Sequence, residues 1–392
     1  MGENINLKKF IPEDYINGDD LIADYEGNIS ICGNEITFSF LEFDQVVKIN
    51  TYCLVLSKDT NDILDQEINR FKGKNDDGST YPVKFETLNY TFSGCVFNDN
   101  VNFNPLENSV IKVDYCTFKE NCYVNNGYFN DNKIIKIDTI TIEDSTFEKD
   151  FGVYKADINS ITIKNVDFEA LSEFHEVTFQ KEFDLKEITY KGLTLFDKCV
   201  FNTKAEFEYI IFEKFTSFRG SRFNEGLNLD YTSADKEINF FGIKGLDTNK
   251  SKENTSRETY RIIKNNFEKI GNKIEANYYH TLELARHRKN IWKHSVLDGI
   301  VSSFHWLSSN YSTNWFLALL WIFIISICTN LFLGNDLIIL NKIQVECIFK
   351  YINILSSIKD FNDSYMIMVL NKISLGYLYY QFLTAVRKDT RK

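Results

Sequence analysis

Large apolar residues recur along the middle of the chain at alternating steps of six and five positions. A helix repeats near 3.6 residues and a lone strand near 2, so neither element alone produces this spacing. Steps of five to six, with one inward anchor each, predict a parallel β-solenoid whose successive turns share one core. Four steps span 22 residues, so Phe201 and Phe223 are expected to be buried one turn apart. The rule holds for twelve consecutive residues, which are Phe168, Phe174, Phe179, Leu185, Tyr190, Phe196, Phe201, Phe207, Phe212, Phe218, Phe223 and Leu229.

A small or β-branched residue often precedes such an anchor by two positions. Side chains two positions apart on a strand point to the same side, so a small residue fits beside a large ring in a narrow core. The pattern therefore places both residues of each pair in the core. The pairs are Cys95 with Phe97, Cys116 with Phe118, Ser145 with Phe147, Val166 with Phe168, Cys199 with Phe201, Ala205 with Phe207, and Ser221 with Phe223.

This pattern resembles the pentapeptide-repeat family over roughly residues 80–245, with a faint beginning near 31–43. The resemblance implies a mainly-β fold, a right-handed quadrilateral parallel β-helix. The chain departs from the family in its alternating steps and in the irregular stretch 119–146. Members of the family differ widely in role, so the resemblance predicts a fold but no activity.

After the repeat, a polar linker leads into a predicted helical pair, for which Thr255 and Glu258 make a capping box. The pair is expected to cap the open end of the solenoid, where unpaired strand edges would otherwise promote aggregation. Seven segments follow from the pattern along the chain. They are a region of undefined fold at 1–80 with a short helix at 59–71, a β-helix at 81–246, a helical hairpin at 255–290, an interfacial helix at 291–312, a transmembrane helix at 315–333, an interfacial or re-entrant helix at 337–358, and a second transmembrane helix at 365–386.

Residues 315–333 form an uncharged run, long enough at 1.5 Å per residue to span roughly 28 Å, about the bilayer core. The alternative is a buried core helix. Basic residues at 286–293 and at the C-terminus flank the apolar region, so the positive-inside rule predicts cytoplasmic termini and an even number of crossings. The second crossing, at 365–386, is interrupted by Asn371 and Lys372.

The end of the chain, GYLYYQFLTAVRKDTRK, together with the preceding hairpin, resembles the C-terminal ion-channel-like transmembrane module of bacterial pentapeptide-repeat membrane proteins. This resemblance covers residues 255–392. It implies a multi-pass protein of the bacterial inner (plasma) membrane. Polar residues within the predicted crossings are Asn330, Asn371 and Lys372. They either pair between helices, Asn371 with Asn330, while Lys372 reaches the outer surface, or they line a water-filled path in an oligomer.

Charge is divided unevenly along the chain. Residues 1–250 contain 44 Asp and Glu against 26 Lys and Arg, a balance of −18, whereas 251–392 contain 11 against 18, a balance of +7. The acidic part is expected to avoid nucleic acid and anionic lipid, and the basic part suits an anionic membrane surface. The first residues contain no apolar run, which predicts no secretory signal and reduced, cytosolic cysteines before residue 300.

Candidate chemistry is absent from the sequence pattern. His280, His287 and His294 recur every seven residues, so each pair lies about 10 Å apart on a helix, too far for one metal ion. No GxSxG, P-loop or HExxH motif occurs. We therefore expect no catalytic residue, no metal site and no cofactor, and predict that the chain is not an enzyme.

Three functions fit this architecture. The first is a membrane-anchored cytosolic β-helical scaffold that binds a cytosolic protein partner. The second is a small two-transmembrane ion-conducting channel, a homo-oligomer through the transmembrane hairpin, although 334–364 contain no potassium-type filter sequence. The third is nucleic-acid mimicry by an acidic β-helix, which a membrane anchor disfavours. The expected partners are the lipid bilayer and a protein, with no direct nucleic-acid binding.

Overall fold

The computed structural model describes residues 89–103, 108–125, 134–292, 294–334 and 349–390, together with eight strands between residues 23 and 82. The chain divides into two compact units, Met1–Thr259 and Tyr260–Lys392. Each unit is described by itself below.

The first unit is a mainly-β parallel solenoid of about six turns, which confirms the predicted fold at this level. Its strands are β1 Ala23–Tyr25, β2 Ile29–Cys32, β3 Glu35–Ser39, β4 Glu42–Phe43, β5 Val46–Ile49, β6 Leu54–Ser57, β7 Lys72–Lys74, β8 Thr80–Pro82, β9 Asn89–Ser93, β10 Val96–Phe97, β11 Val101–Phe103, β12 Ser109–Asp114, β13 Thr117–Phe118, β14 Cys122–Val124, β15 Ile135–Glu143, β16 Thr146–Phe147, β17 Phe151–Tyr154, β18 Ala156–Phe168, β19 Ser172–His175, β20 Thr178–Tyr190, β21 Thr194–Asp197, β22 Val200–Phe201, β23 Ala205–Glu208, β24 Ile211–Phe212, β25 Thr216–Ser217, β26 Arg222–Phe223, β27 Leu227–Asn228, β28 Ser233–Ala234 and β29 Ile238–Asn239.

The register of the parallel pairs gives the length of each turn. Phe97 pairs with Phe118, 21 residues later, whereas Phe201 pairs with Phe223, 22 residues later as predicted. The irregular stretch corresponds to a longer turn, since Phe118 pairs with Phe147. Part of that longer turn, 126–133, lies outside the described residues.

Four columns of inward side chains fill the solenoid, and each side chain stacks on its counterpart one turn away. Paired parallel strands lie about 4.8 Å apart, close to the stacking distance of two rings. The rings of Phe201 and Phe223 accordingly lie 4.8 Å apart and nearly parallel. All nine phenylalanines assigned to the core are buried, and they are Phe168, Phe174, Phe179, Phe196, Phe201, Phe207, Phe212, Phe218 and Phe223.

The small residues two positions before the anchors are also buried, and several accept hydrogen bonds from the preceding turn. The backbone N–H of Cys199 donates to the Ser221 hydroxyl at 2.9 Å, and that of Cys116 donates to the Ser145 hydroxyl at 3.0 Å. These side chains therefore satisfy backbone donors in the core as well as leaving room for the rings. Burial raises the pKa of the Cys122 and Cys199 thiols, so both remain protonated wall residues.

Parallel pairing begins earlier than residue 81, because Glu35–Ser39 pairs with Asn89–Ser93 in parallel. Four antiparallel pairings occur nearby, β1 with β2, β2 with β3, β5 with β6, and β7 with β8. The region before residue 81 thus contributes solenoid strands with hairpins inserted between them. The short helix predicted at 59–71 lies outside the described residues.

Backbone N–H groups in the last turns of the solenoid donate to side-chain hydroxyls of residues that follow the last strand. The N–H of Leu227 donates to Thr255 Oγ1 at 3.2 Å, and the N–H of Leu229 donates to Thr259 Oγ1 at 2.9 Å. Thr255 therefore caps the strands, and Ser256, which accepts from the N–H of Thr259, caps the next helix instead of the predicted Thr255.

The helices are α1 Asn249–Asn254, α2 Arg257–Lys269, α3 Lys273–Ile291, α4 Val296–Ser309, α5 Trp315–Phe332 and α6 Tyr365–Thr390, with a 3₁₀ helix at Ile358–Phe361. Within the described residues, one helix, α5, is long and apolar enough to cross a membrane. The helix α6 packs on α5 through Leu375 and Leu378 against Ile322. A second crossing by α6 stays a prediction, and most of the segment predicted at 337–358 lies outside the described residues.

Candidate functional site

The predicted intramembrane polar residues lie where α5 and α6 meet. Asn371 is buried and its Nδ2 donates to Thr329 Oγ1 at 2.9 Å. Thr329 precedes Asn330, which is also buried. The pairing between helices thus involves Asn371, as expected for a polar residue facing protein, and its partner is Thr329.

Lys372 occupies a different environment from Asn371. Its ammonium group donates to the carbonyl oxygens of Asn353 at 3.0 Å and Ile354 at 2.6 Å, and to the Ser356 hydroxyl at 2.6 Å. It also lies 5.5 Å from the centre of the Phe361 ring. A lysine has three donors, so these three acceptors use all of them. Lys372 therefore ties α6 to the segment that precedes it.

The connection between α4 and α5 contains a left-handed turn that the sequence pattern did not reveal. Three consecutive residues, Asn310, Tyr311 and Ser312, have φ of 47°, 62° and 58°. This conformation costs roughly 1–2 kcal/mol per non-glycine residue, so tertiary contacts must hold it. Gln381 of α6 supplies them, because its Oε1 accepts from the hydroxyls of Ser309, at 2.9 Å, and Ser312.

Basic groups lie beside this turn. Lys388 Nζ donates to the carbonyl of Tyr311 at 3.4 Å, and His305 Nε2 lies 3.1 Å from the Ser312 hydroxyl. Burial lowers the pKa of Lys388. Burial, and then the charge of Lys388, lower the pKa of His305, so its imidazole is neutral near pH 7.

The hairpin of α2 and α3 contains a buried carboxylate. Glu283 lies 3.0 Å from Lys264, 3.3 Å from Arg261 and 3.6 Å from His280. Burial opposes ionisation of Glu283, but the hydrogen bond and charge of Lys264, the hydrogen bond of Arg261 and the charge of His280 outweigh it, so its pKa is lowered. In the part of the chain that the structure describes, no group of three His, Cys, Asp or Glu could hold a metal ion.

Helix α4 exposes a broad apolar face. Its opposite side is packed, because Gly299 is buried beneath the Trp292 ring, where a Cβ would lie 2.7 Å from that ring. At the edge of the exposed face, the Arg288 guanidinium lies 4.1 Å from the Trp306 ring centre. The exposed apolar residues are Val296, Leu297, Ile300, Val301, Phe304 and Leu307.

One corner of the solenoid repeats a left-handed backbone conformation at every turn. The corner lies two residues after one inward column, and glycine, Asn and Asp are the residues that adopt this conformation at least cost. Two exposed tyrosines nevertheless occupy it in the last turns, and their rings stack at 5.4 Å. The corner residues are Phe40, Gly94, Tyr115, Asp144, Asn165, Glu187, Tyr209 and Tyr231.

The apolar pattern does not reveal this corner, although the sequence contains a signal for it. Tyr209 follows Phe207 by two positions and Tyr231 follows Leu229 by two, so an aromatic residue recurs in register with the repeat. Four further apolar side chains near this end of the solenoid are also exposed, namely Leu193, Ile211, Phe215 and Phe241.

Comparison with protein-family models, with curated proteins and with solved structures gave no match.

Proposed function

We propose that the chain is a membrane-anchored scaffold. In this proposal, a right-handed quadrilateral, pentapeptide-repeat-like β-helix presents a rigid surface to a protein partner in the cytosol. The C-terminal helices anchor it in the bacterial plasma membrane as a two-crossing hairpin, with both termini cytoplasmic. Each turn contributes one inward side chain to each of the four columns, and this number supports the quadrilateral form.

The observation that carries the anchor is the exposed apolar face of α4, which directly precedes α5. Six apolar side chains on one face of a helix are costly to leave in water. A helix that lies in the plane of the lipid interface buries such a face among the headgroups and upper acyl chains. Trp292 and Trp306, both partly exposed at the ends of this region, are residues favoured at that depth. The helix α4 then corresponds to the predicted interfacial segment at 291–312.

The channel alternative has less support. A pore-lining lysine would face water, but the three hydrogen bonds of Lys372 go to the backbone and side chain of residues 353–356. Asn371 likewise faces α5 and contacts Thr329. The polar residues of the predicted crossings thus act within one chain in this arrangement.

Cysteine accessibility in intact cells tests the topology. A membrane-impermeant thiol reagent is expected to label Asp360→Cys and not Lys392→Cys, because the proposal places 334–364 outside and the C-terminus inside. The unsubstituted chain supplies the background from its own cysteines, and permeabilised cells show that both introduced thiols can react. Labelling of Lys392→Cys in intact cells, without labelling of Asp360→Cys, would remove the two-crossing anchor.

A further inference from the structure

The corner formed by Tyr209 and Tyr231 combines exposure with an unfavourable backbone. The two residues have φ of 56° and 63°, and their side chains are 53% and 75% exposed. Their rings stack at 5.4 Å with an interplanar angle of 21°. Neither ring gains the burial that would offset the cost of this backbone for a bulky residue.

Glycine occupies the same corner at an earlier turn, at Gly94. A glycine would meet the backbone requirement of the corner without strain. Strained residues that packing does not require are concentrated at functional sites. The retention of two tyrosines, stacked in adjacent turns, therefore indicates a use for their exposed rings.

The groups around the two rings indicate the chemistry of the occupant. Glu187 occupies the same corner one turn earlier and is exposed. Glu208, before Tyr209, forms an ion pair with Lys186 at 3.7 Å, and Asp230, before Tyr231, accepts hydrogen bonds from the hydroxyls of Ser256 and Thr259. Two electrostatic effects attract a cation to an exposed ring face next to a carboxylate, namely the ring quadrupole and the negative charge of the carboxylate.

The solenoid contains one example of this contact on another corner, where the Arg219 guanidinium lies 6.0 Å from the centre of the Phe241 ring. There the chain supplies both the cation and the ring. At Tyr209 and Tyr231 it supplies the rings and the carboxylates.

We propose that the Tyr209–Tyr231 corner binds an arginine-bearing segment of a protein partner, with a guanidinium against the tyrosine rings and its charge paired with Glu187. Arginine is favoured over lysine because its planar group stacks on a ring while still donating to a carboxylate. This inference rests on the proposed scaffold function and names the surface and the partner chemistry.

The test uses the full chain in nanodiscs of zwitterionic phosphatidylcholine, so that the lipid does not bind the cationic probe. The probe is a fluorescent peptide of alternating Arg and Gly, and the matched control peptide carries uncharged citrulline in place of Arg. Fluorescence anisotropy at physiological salt is expected to show binding of the Arg peptide and much weaker binding of the citrulline peptide.

The variant Tyr209→Ala/Tyr231→Ala is expected to weaken binding of the Arg peptide roughly tenfold, the combined effect of two exposed cation–π contacts. Tyr115→Ala is the control, because Tyr115 occupies the same corner and is 66% exposed but lies outside the stacked pair. Tyr209→Phe/Tyr231→Phe should retain binding, since the contact needs the ring and not the hydroxyl.

A second variant separates binding from folding. In Tyr209→Gly/Tyr231→Gly, glycine adopts the left-handed backbone of the corner without strain. This variant is therefore expected to keep or raise the melting temperature while losing affinity for the Arg peptide. Equal affinity of wild type and the alanine variant, or equal affinity for the citrulline peptide, would overturn the proposal. So would binding of a neutral oligosaccharide such as maltohexaose in place of the peptide. Co-flotation of the chain with liposomes reports the membrane anchor independently, so loss of the anchor and loss of the peptide site are distinguishable.

Discussion

The solenoid and the helical unit bury their side chains by different rules. In the solenoid, a ring such as Phe201 meets Phe223, its equivalent one turn later, and the same contact recurs along each column. In the helical unit, Gln381 contacts Ser309 and Ser312, and Asn371 contacts Thr329, and none of these contacts is repeated. The solenoid core is thus apolar and periodic, whereas the helical unit depends on individual polar contacts between distant segments.

This difference implies different sensitivities to mutation. A column of stacked rings loses packing when one ring is removed, and the loss is set by the volume of the ring. A polar contact between helices loses stability when one partner leaves the other buried without a hydrogen bond. Four substitutions, given from the largest expected effect to the smallest, separate these two kinds of loss.

The largest effect is expected for Phe212→Ala in the solenoid. Phe212 is fully buried and stacks on Tyr190 at 5.3 Å, so truncation should lower the free energy of unfolding by about 3–5 kcal/mol. Denaturant unfolding of the two proteins measures the difference. The neighbour Ile211, which is 43% exposed, supplies the control, and Ile211→Ala should cost about 0.5 kcal/mol or less. Equal stability of Phe212→Ala and the wild type would contradict the register of the columns.

A smaller effect is expected for Lys372→Leu in the helical unit. The substitution removes the charge-assisted hydrogen bonds to the exposed carbonyl groups of Asn353 and Ile354 and to the Ser356 hydroxyl, which should cost about 1–3 kcal/mol. Thermal unfolding in nanodiscs, followed by limited proteolysis near residue 354, measures the loss. The exposed Lys359 provides a matched control, since Lys359→Leu removes the same charge without such contacts. A thermal transition equal to that of wild type would show that Lys372 merely extends to the membrane surface.

The pH dependence of the hairpin of α2 and α3 should follow Glu283. Its pKa is lowered in the folded state, so its ion pairs stabilise the hairpin above the ordinary glutamate pKa of about 4.3. The contribution is lost as the pH falls through the lower folded value. Glu283→Gln is expected to cost about 1–2 kcal/mol at pH 7 and to flatten the loss of stability below about pH 4.3.

Thermal unfolding between pH 3 and pH 7 measures this dependence. Glu268→Gln, in α2 of the same hairpin, serves as the control because Glu268 is exposed. A steep acid transition that Glu283→Gln leaves unchanged would assign the effect to other carboxylates.

The smallest effect, and one of opposite sign, is expected for Tyr190→Phe. Tyr190 is the member of its column that carries a hydroxyl, and this hydroxyl is buried without a hydrogen-bond partner among the described residues. Removal of an unsatisfied polar group should stabilise the solenoid by up to about 1 kcal/mol. The exposed Tyr209→Phe should leave stability unchanged. A destabilised Tyr190→Phe would show that its hydroxyl has a partner.

The sequence by itself predicted the solenoid, the spacing of one turn and the apolar helix α5. Repetition is the physical reason. Residues that contact each other across stacked turns, such as Phe97 and Phe118 or Phe201 and Phe223, lie 21 or 22 positions apart in the sequence, so the contact is visible as a repeat. The uncharged run that forms α5 is likewise a property of one continuous segment of the chain. Both signals can be read without knowledge of which segments meet.

Only the tertiary structure decided the contacts that occur once. Thr255 and Thr259 close the strand edge because the chain between α1 and α2 and the first turn of α2 place their hydroxyls opposite the N–H groups of Leu227 and Leu229. Lys372 finds two carbonyl groups and a hydroxyl 16–19 residues away because the chain turns back before α6. Nothing in the periodic pattern encodes such meetings, since each depends on the path of the intervening chain. The strained corner at Tyr209 and Tyr231 lies between the two cases: its register repeats in the sequence, but its left-handed backbone and its exposure emerge only when the turns stack.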